Sequence, residues 1–306
     1  MYKFHKKKQM DVMEYDFDSI SDLLDYINWA PVAPSWVSAP KKSEYPEQNP
    51  KWYGTDSFEQ AFELCKYGQY DEGFDKLNEL KMEIDRHIKE IKKQKRQFND
   101  FVGFAPDVAS FLNGFPLDMF NHTKHIRKKV DVYYNCSQEV GTSIPEIFNK
   151  GATLLSVVTL LEEMGINVNL FFFEMSDKVR QLFLAKTVIK HKDQPLDIRN
   201  AYFPICNPSF LRRIHFRLKE KTPHISSSWH DTYGYPCKMD TVKRFIDLDE
   251  TAIIFNTSQE MGVRGKNVID DANAIFRFIN RTSRVIERGI SFSHIPESEE
   301  MFLRGV

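Results

Sequence analysis

The residues best suited to chemistry occur twice. Tyr134-Asn135-Cys136-Ser137-Gln138-Glu139-Val140-Gly141 is echoed by Phe255-Asn256-Thr257-Ser258-Gln259-Glu260-Met261-Gly262, and each copy follows a short apolar run that reads as a β-strand. Open α/β sheets collect ligands outside the carboxyl ends of their strands. Short oxygen-bearing side chains placed there can hold a hard divalent cation or hydrogen-bond a phosphate. Asn135, Ser137 and Glu139 would face Asn256, Ser258 and Glu260 across one crevice if the two strands are adjacent and parallel; all six are therefore candidate metal ligands, with Asp193 as a further source of charge. The cofactor expected is weakly bound Mg²⁺ or none. The same residue types also cap turns without any ligand, and that alternative stays open.

A second candidate is Pro208 to Lys221, a helical stretch with five Lys and Arg and one acid. Arg212, Arg213, His215, Arg217 and Lys219 could meet the phosphates of a nucleic acid or the acids of a partner, with Phe210 and Phe216 available to stack on bases. Phe210, Leu211, Ile214 and Leu218 form a stripe at helical spacing, which instead predicts a core-facing helix with a solvated basic face. Between His224 and Pro236 a Ser, a His and an Asp lie close in sequence, but none sits on a G-x-S-x-G elbow. His191 and Asp193 could serve as a base and its orienter, without a recognisable nucleophile. No P-loop, G-x-G-x-x-G or H-E-x-x-H occurs. The chain thus carries no enzyme signature.

These groups must be positioned by two unlike halves. In the first, residues 1–127, Phe17 to Trp29 reads as an amphipathic helix with Ser19 or Asp18 as N-cap and acids near its positive end. The proline-rich stretch 30–50 reads as an extended arm wrapped on the surface. Ser57 followed by Gln60 is a capping box for a helix ending at Gly68. The segment 71–98 reads as one long helix with a narrow apolar seam. Leu77, Ile84, Ile88 and Ile91 lie on it, and the seam can fold onto this chain or pair two copies into a homo-oligomer. Aromatic residues among Gly103, Pro106, Gly114 and Pro116 form a compact connection.

From residue 128 to 306 the pattern becomes strand and helix in alternation: strands at Val130–Tyr134, Ile166–Glu174, Leu184–Lys190 and Ala252–Phe255, helices at Pro145–Met164, Pro208–Lys221 and Val268–Arg288. That alternation implies an α/β domain with a mostly parallel sheet of von Willebrand A or Rossmann-like topology. The chain has 42 Lys and Arg against 43 Asp and Glu, so no net field draws it to nucleic acid or a membrane surface. Its four cysteines form no C-x-x-C pair, which suits reduced thiols. With no secretory pattern at the N-terminus and no apolar run of spanning length, the expected location is the cytoplasm, away from membranes.

The strand ending in Asn135-x-Ser137-x-Glu139, the helix with Lys150-Gly151-Ala152-Thr153-Leu154-Leu155, and then Gly165-Ile166-Asn167-Val168-Asn169-Leu170 resemble the start of a von Willebrand factor A-like domain. That family carries Asp-x-Ser-x-Ser after its first strand and holds Mg²⁺ through those side chains, plus a Thr and an Asp from later loops. Asn135 and Glu139 depart from the pattern, so the resemblance implies a site whose charge comes from Glu139, Asp193 or Glu260. Trp52-Tyr53-Gly54-Thr55-Asp56-Ser57-Phe58, Gly114-Phe115-Pro116-Leu117-Asp118-Met119 and Pro208-Ser209-Phe210-Leu211-Arg212-Arg213 resemble an uncharacterised family of phage and mobile-element proteins. That resemblance implies a phage-type setting, in a bacterial host's cytoplasm. The expectation is a non-enzymatic interaction protein acting on a protein partner, in assembly or against host machinery. Nucleic-acid binding through the basic helix and metal-dependent catalysis at the strand ends are the alternatives.

Overall fold

A computed structural model describes residues 1–45, 50–68, 72–88, 97–100, 105–114, 116, 119–122, 129–139, 141–178, 180–225, 229, 234–249 and 251–283. The chain opens with two strands, β1 (Tyr2–Lys7) and β2 (Met10–Phe17), joined through Lys8 and Gln9, both at positive φ. Ser19 then caps α1 (Ile20–Trp29), accepting from the Asp22 backbone N–H as expected. Next come α2 (Pro50–Tyr53), α3 (Phe58–Tyr67) with the expected Ser57 cap, and α4 (Glu72–Ile88). A small antiparallel sheet of β3 (Gln97–Asp100), β4 (Ala105–Pro106) and β5 (Met119–His122) carries α5 (Val108–Leu112).

The second half runs β6 (Lys129–Asn135), α6 (Ile144–Glu163), β7 (Asn167–Lys178), β8 (Gln181–Lys190) and α7 (Ile198–Cys206). A π-helical turn over Phe210–His215 leads into α8 (Phe216–Glu220). After it lie α9 (Met239–Phe245), β9 (Ile253–Phe255), α10 (Ser258–Met261) and α11 (Val268–Thr282).

The main sheet has the order β1-β2-β8-β7-β6-β9. The pairs β2–β8, β6–β7 and β6–β9 are parallel; β1–β2 and β7–β8 are antiparallel. The fold is therefore mixed α/β, with a mostly parallel sheet. The pattern of alternating burial sends Tyr134 to one face and Tyr133 to the other. On the first face α6, α7 and α11 cover a large core; on the second α9 closes a smaller one.

The acidic stretch before α1, given no element by its sequence pattern, is a strand, because Val12, Met13, Tyr15 and Phe17 are buried in the sheet. Two expectations need correction. The sheet thus crosses the boundary expected near residue 127: β2 pairs with β8, and a single core draws on both halves. The long helix over 71–98 is shorter than expected, since Phe98 belongs to β3, paired opposite Asn121.

Helix α6 is the core's axis. It is the described helix long and apolar enough to cross a membrane, yet 72% of its most apolar window is buried inside the protein. Its side of the core is so tight that a Cβ on Gly151 would lie 2.3 Å from Ile205 Cγ2 on α7. Leu77 and Ile84 of α4 are completely buried in that same core. These two seam residues are therefore engaged within the chain and unavailable to a second copy. Ile88 closes α4, and Ile91 lies outside the described residues.

Candidate functional site at the strand ends

β6 pairs in parallel with β7 on one side and with β9 on the other, so the carboxyl ends of all three strands lie at one edge of the sheet. Open α/β sheets collect ligands outside that edge. The two echoed segments meet there. Asn135, fully buried at the end of β6, donates from Nδ2 to Asn256 Oδ1 at 2.8 Å, across 121 residues of sequence. Asn135 Oδ1 in turn accepts the Ser137 backbone N–H at 2.9 Å, fixing the turn out of the strand.

The clasp extends outward. Thr257 caps α10 by accepting the Glu260 N–H, and Asn256 Nδ2 donates to the Glu260 carboxylate. The Gln259 amide, turned to donate, reaches Glu139 Oε1 at 2.8 Å. Burial pushes the Glu139 carboxyl up. Thr257 opposes that shift by hydrogen bonding, while the negative charges of Glu260 and Glu146 add to it. An acidic rim therefore surrounds the clasp.

Two hydroxyls are left over. Ser137 Oγ and Ser258 Oγ, one at each strand end, are buried and have no hydrogen-bond partner among the described residues, and Gln138 Oε1 is in the same condition. Buried polar atoms are nearly always paired, so these orphans mark the place as unusual. Beneath them lies a group the sequence reading did not single out. Lys150 on α6, with no exposed surface, donates to the Asn135 carbonyl at 2.8 Å, and its Nζ sits 4.2 Å from the centroid of the Tyr134 ring. Burial lowers its pKa to about 7, against the pull of Cys136 and Glu139 toward the charged form. A lone lysine inside an apolar helical run was the signal that could have found it.

Asp193 does not join this site. It follows β8, which runs antiparallel to β7, so its strand end lies at the amino-terminal edge of β6 and β7. His191 is at that same far edge. Among the described residues no group of three or more His, Cys, Asp and Glu is arranged to hold a metal ion. The Ser, His and Asp expected between His224 and Pro236 fall outside the described residues.

The basic segment has a different use from the one expected. Arg213 is fully buried and donates to four backbone carbonyls, two in the N-terminal arm, Ser43 at 2.9 Å and Tyr45 at 2.8 Å, and two in the turn before α3, Thr55 and Asp56 at 3.2 Å each. Arg212 donates to the Trp52 carbonyl and stacks on its ring, and Arg217 pairs with Glu44. His215 Nδ1 lies 3.1 Å from Glu174 Oε2, and Lys219 pairs with the same carboxylate while donating to Ser176 Oγ at 2.7 Å. Burial alone would raise the Glu174 carboxyl; Lys219 and His215 outweigh it and hold it below the ordinary carboxylate range. These cations face inward because the apolar stripe buries the segment and the arm's carbonyls must be paired once they are covered. Phosphate contact through this segment has no exposed guanidinium to use.

The clasp, the orphan hydroxyls and the acidic rim describe an α/β protein with its candidate centre at the carboxyl ends of two adjacent parallel strands. Over residues 5–282 the chain matches the family model described as Domain of unknown function (DUF7192), and it belongs to that family. No curated protein and no solved structure matches it.

Proposed function

We propose that this chain is a non-enzymatic interaction protein that meets a protein partner at the crevice where β6 and β9 end. The reading keeps a von Willebrand A-like arrangement, and the phage-type setting follows the family resemblance of the sequence. The observation that carries it is the Asn135–Asn256 bond, which holds two echoed segments together beside Ser137 and Ser258 hydroxyls that are buried without partners among the described residues. Those hydroxyls, with the carboxylates of Glu139 and Glu260, are hard oxygen donors of the kind Mg²⁺ accepts. Both asparagine side-chain oxygens are already taken by N–H donors. Binding of Mg²⁺ is accordingly weak, with water completing the coordination.

Two measurements test this. Mg²⁺ at several times its Kd adds about 1 kcal/mol to the native state, roughly 2 °C in Tm for a chain of this size. Wild type should gain that shift while Glu139→Gln and Glu260→Gln gain less; equal shifts in all three remove the metal. Tagged wild type should recover protein from host lysate without nucleic acid, and Glu139→Lys with Glu260→Lys should lose it. Recovery of nucleic acid, or identical recovery by the variant, overturns the proposal.

A further inference from the structure

Away from the strand ends, α1, α3 and α8 enclose an open groove of about 420 Å³. Its apolar lining is Ile27, Phe58 and Phe62, and Asn28, Glu59 and Glu63 edge it. The cations beside it are engaged within the chain: Arg217 stacks 4.3 Å over the Phe58 ring and pairs with Glu44, and Lys221 donates to the Ala30 carbonyl at 2.6 Å. The acids are at the surface. Glu59 and Glu63 are exposed and one turn apart on α3; Asp22 and Asp25 are exposed and one turn apart on α1, on the stripe that continues to Asn28. Asp25 and Glu63 both act on the exposed Lys66, so the two acidic stripes converge at that end of the groove with one lysine between them. Large apolar surface stands beside them, with Trp29 71% and Tyr67 61% exposed.

We propose that this groove docks a basic amphipathic segment of a protein partner. An apolar or aromatic side chain would seat on Ile27, Phe58 and Phe62 while flanking Lys or Arg side chains meet Asp25, Glu59 and Glu63. The choice of occupant rests on charge: around the groove Asp22, Asp25, Glu44, Glu59 and Glu63 outnumber Lys66, Arg217 and Lys221, and a net negative rim attracts a basic segment and repels an acidic one. Grooves of this kind read a helical segment by anchors at i, i+3 or i+4, and i+7. The inference builds on the protein-contact reading above but assigns the contact to a separate surface with its own chemistry.

The probe is a labelled peptide of about twelve residues, three helical turns, with Leu and Trp anchors at that spacing and Lys elsewhere; a twin carries Glu for every Lys. Wild type should bind the Lys peptide, more weakly as salt rises, and ignore the Glu twin. Glu59→Lys with Glu63→Lys, both at exposed positions, should weaken binding about tenfold or more (~1.4 kcal/mol) with an unchanged circular dichroism spectrum. Glu139→Gln with Glu260→Gln should bind as wild type does. Equal binding of both peptides, or no loss on charge reversal, overturns the proposal. So does a dimer in light scattering that the Glu59→Lys, Glu63→Lys protein loses, since the groove would then serve a second copy. A Mg²⁺ shift without peptide binding rejects the groove alone; peptide binding without the shift rejects the strand-end site alone.

Discussion

Lys150 lies in an environment far from water. Its ammonium has one carbonyl and one aromatic face for company, and burial lowers its pKa to about 7, against about 10.4 for an unfolded lysine. Between those values the unfolded chain binds more protons than the folded one, so this residue makes stability rise with pH. Below pH 7 the folded state carries the full cost of a buried charge; near pH 10 the cost is gone. Replacing Lys150 with Met removes that dependence. Relative to wild type the variant should be most favoured at pH 6, and its advantage should shrink as pH rises to 9.5, by up to about 1.4 kcal/mol per unit. Urea unfolding of both proteins at several pH values reads this directly, and a difference that does not move with pH would refute it.

At the scale of elements, the π-helical turn and α8 act as a staple for the N-terminal arm. Arg213 alone gathers carbonyls from Ser43, Tyr45, Thr55 and Asp56, and Glu220, also fully buried, accepts from the Ser43 backbone N–H at 3.0 Å. Arg213→Ala strands several buried acceptors and should cost about 3 kcal/mol or more. Arg213→Lys should rescue little, because an ammonium cannot span the forked arrangement. Limited proteolysis should then cut between residues 43 and 56 at enzyme levels that leave wild type whole. Cleavage at an unchanged rate would mean that the arm is held mainly by the burial of Trp36 and Tyr53.

At the scale of the molecule, the first seventeen residues complete the sheet. β2 fills the place beside β8 over seven paired positions and brings Met13, Tyr15 and Phe17 into the main core. β1 then forms the edge, where Lys3 and Lys6 are exposed, as natural sheets protect their edges. Removing residues 1–18 should leave the long strand β8 unpaired on that side and open the core. The truncated chain should aggregate or bind a hydrophobic dye, and fast hydrogen exchange along Gln181–Lys190 would report the loss. A soluble, cooperatively folding truncation would restore a separate domain beginning near residue 128.

Local signals decided what local physics controls. Ser19 and Ser57 cap α1 and α3 as their spacing announces, and the apolar runs at Val130, Ile166 and Ile253 are strands because β-rich stretches of that length bury well on a sheet. The echo of Asn-x-Ser-x-Glu was legible as a pair of strand ends. Their meeting was expected too, on the condition that the two strands lie side by side and parallel; the strand order of the sheet, which joins β6 to β9 across 121 residues, meets that condition. Tertiary structure alone turned the acidic N-terminal stretch into a strand, since β8 offered it an edge and a core. It also turned the basic helix inward, since a covered arm presents carbonyls that only buried donors can satisfy. Asp193 was sent to the far edge by one antiparallel turn between β7 and β8, a reversal that residue types do not encode.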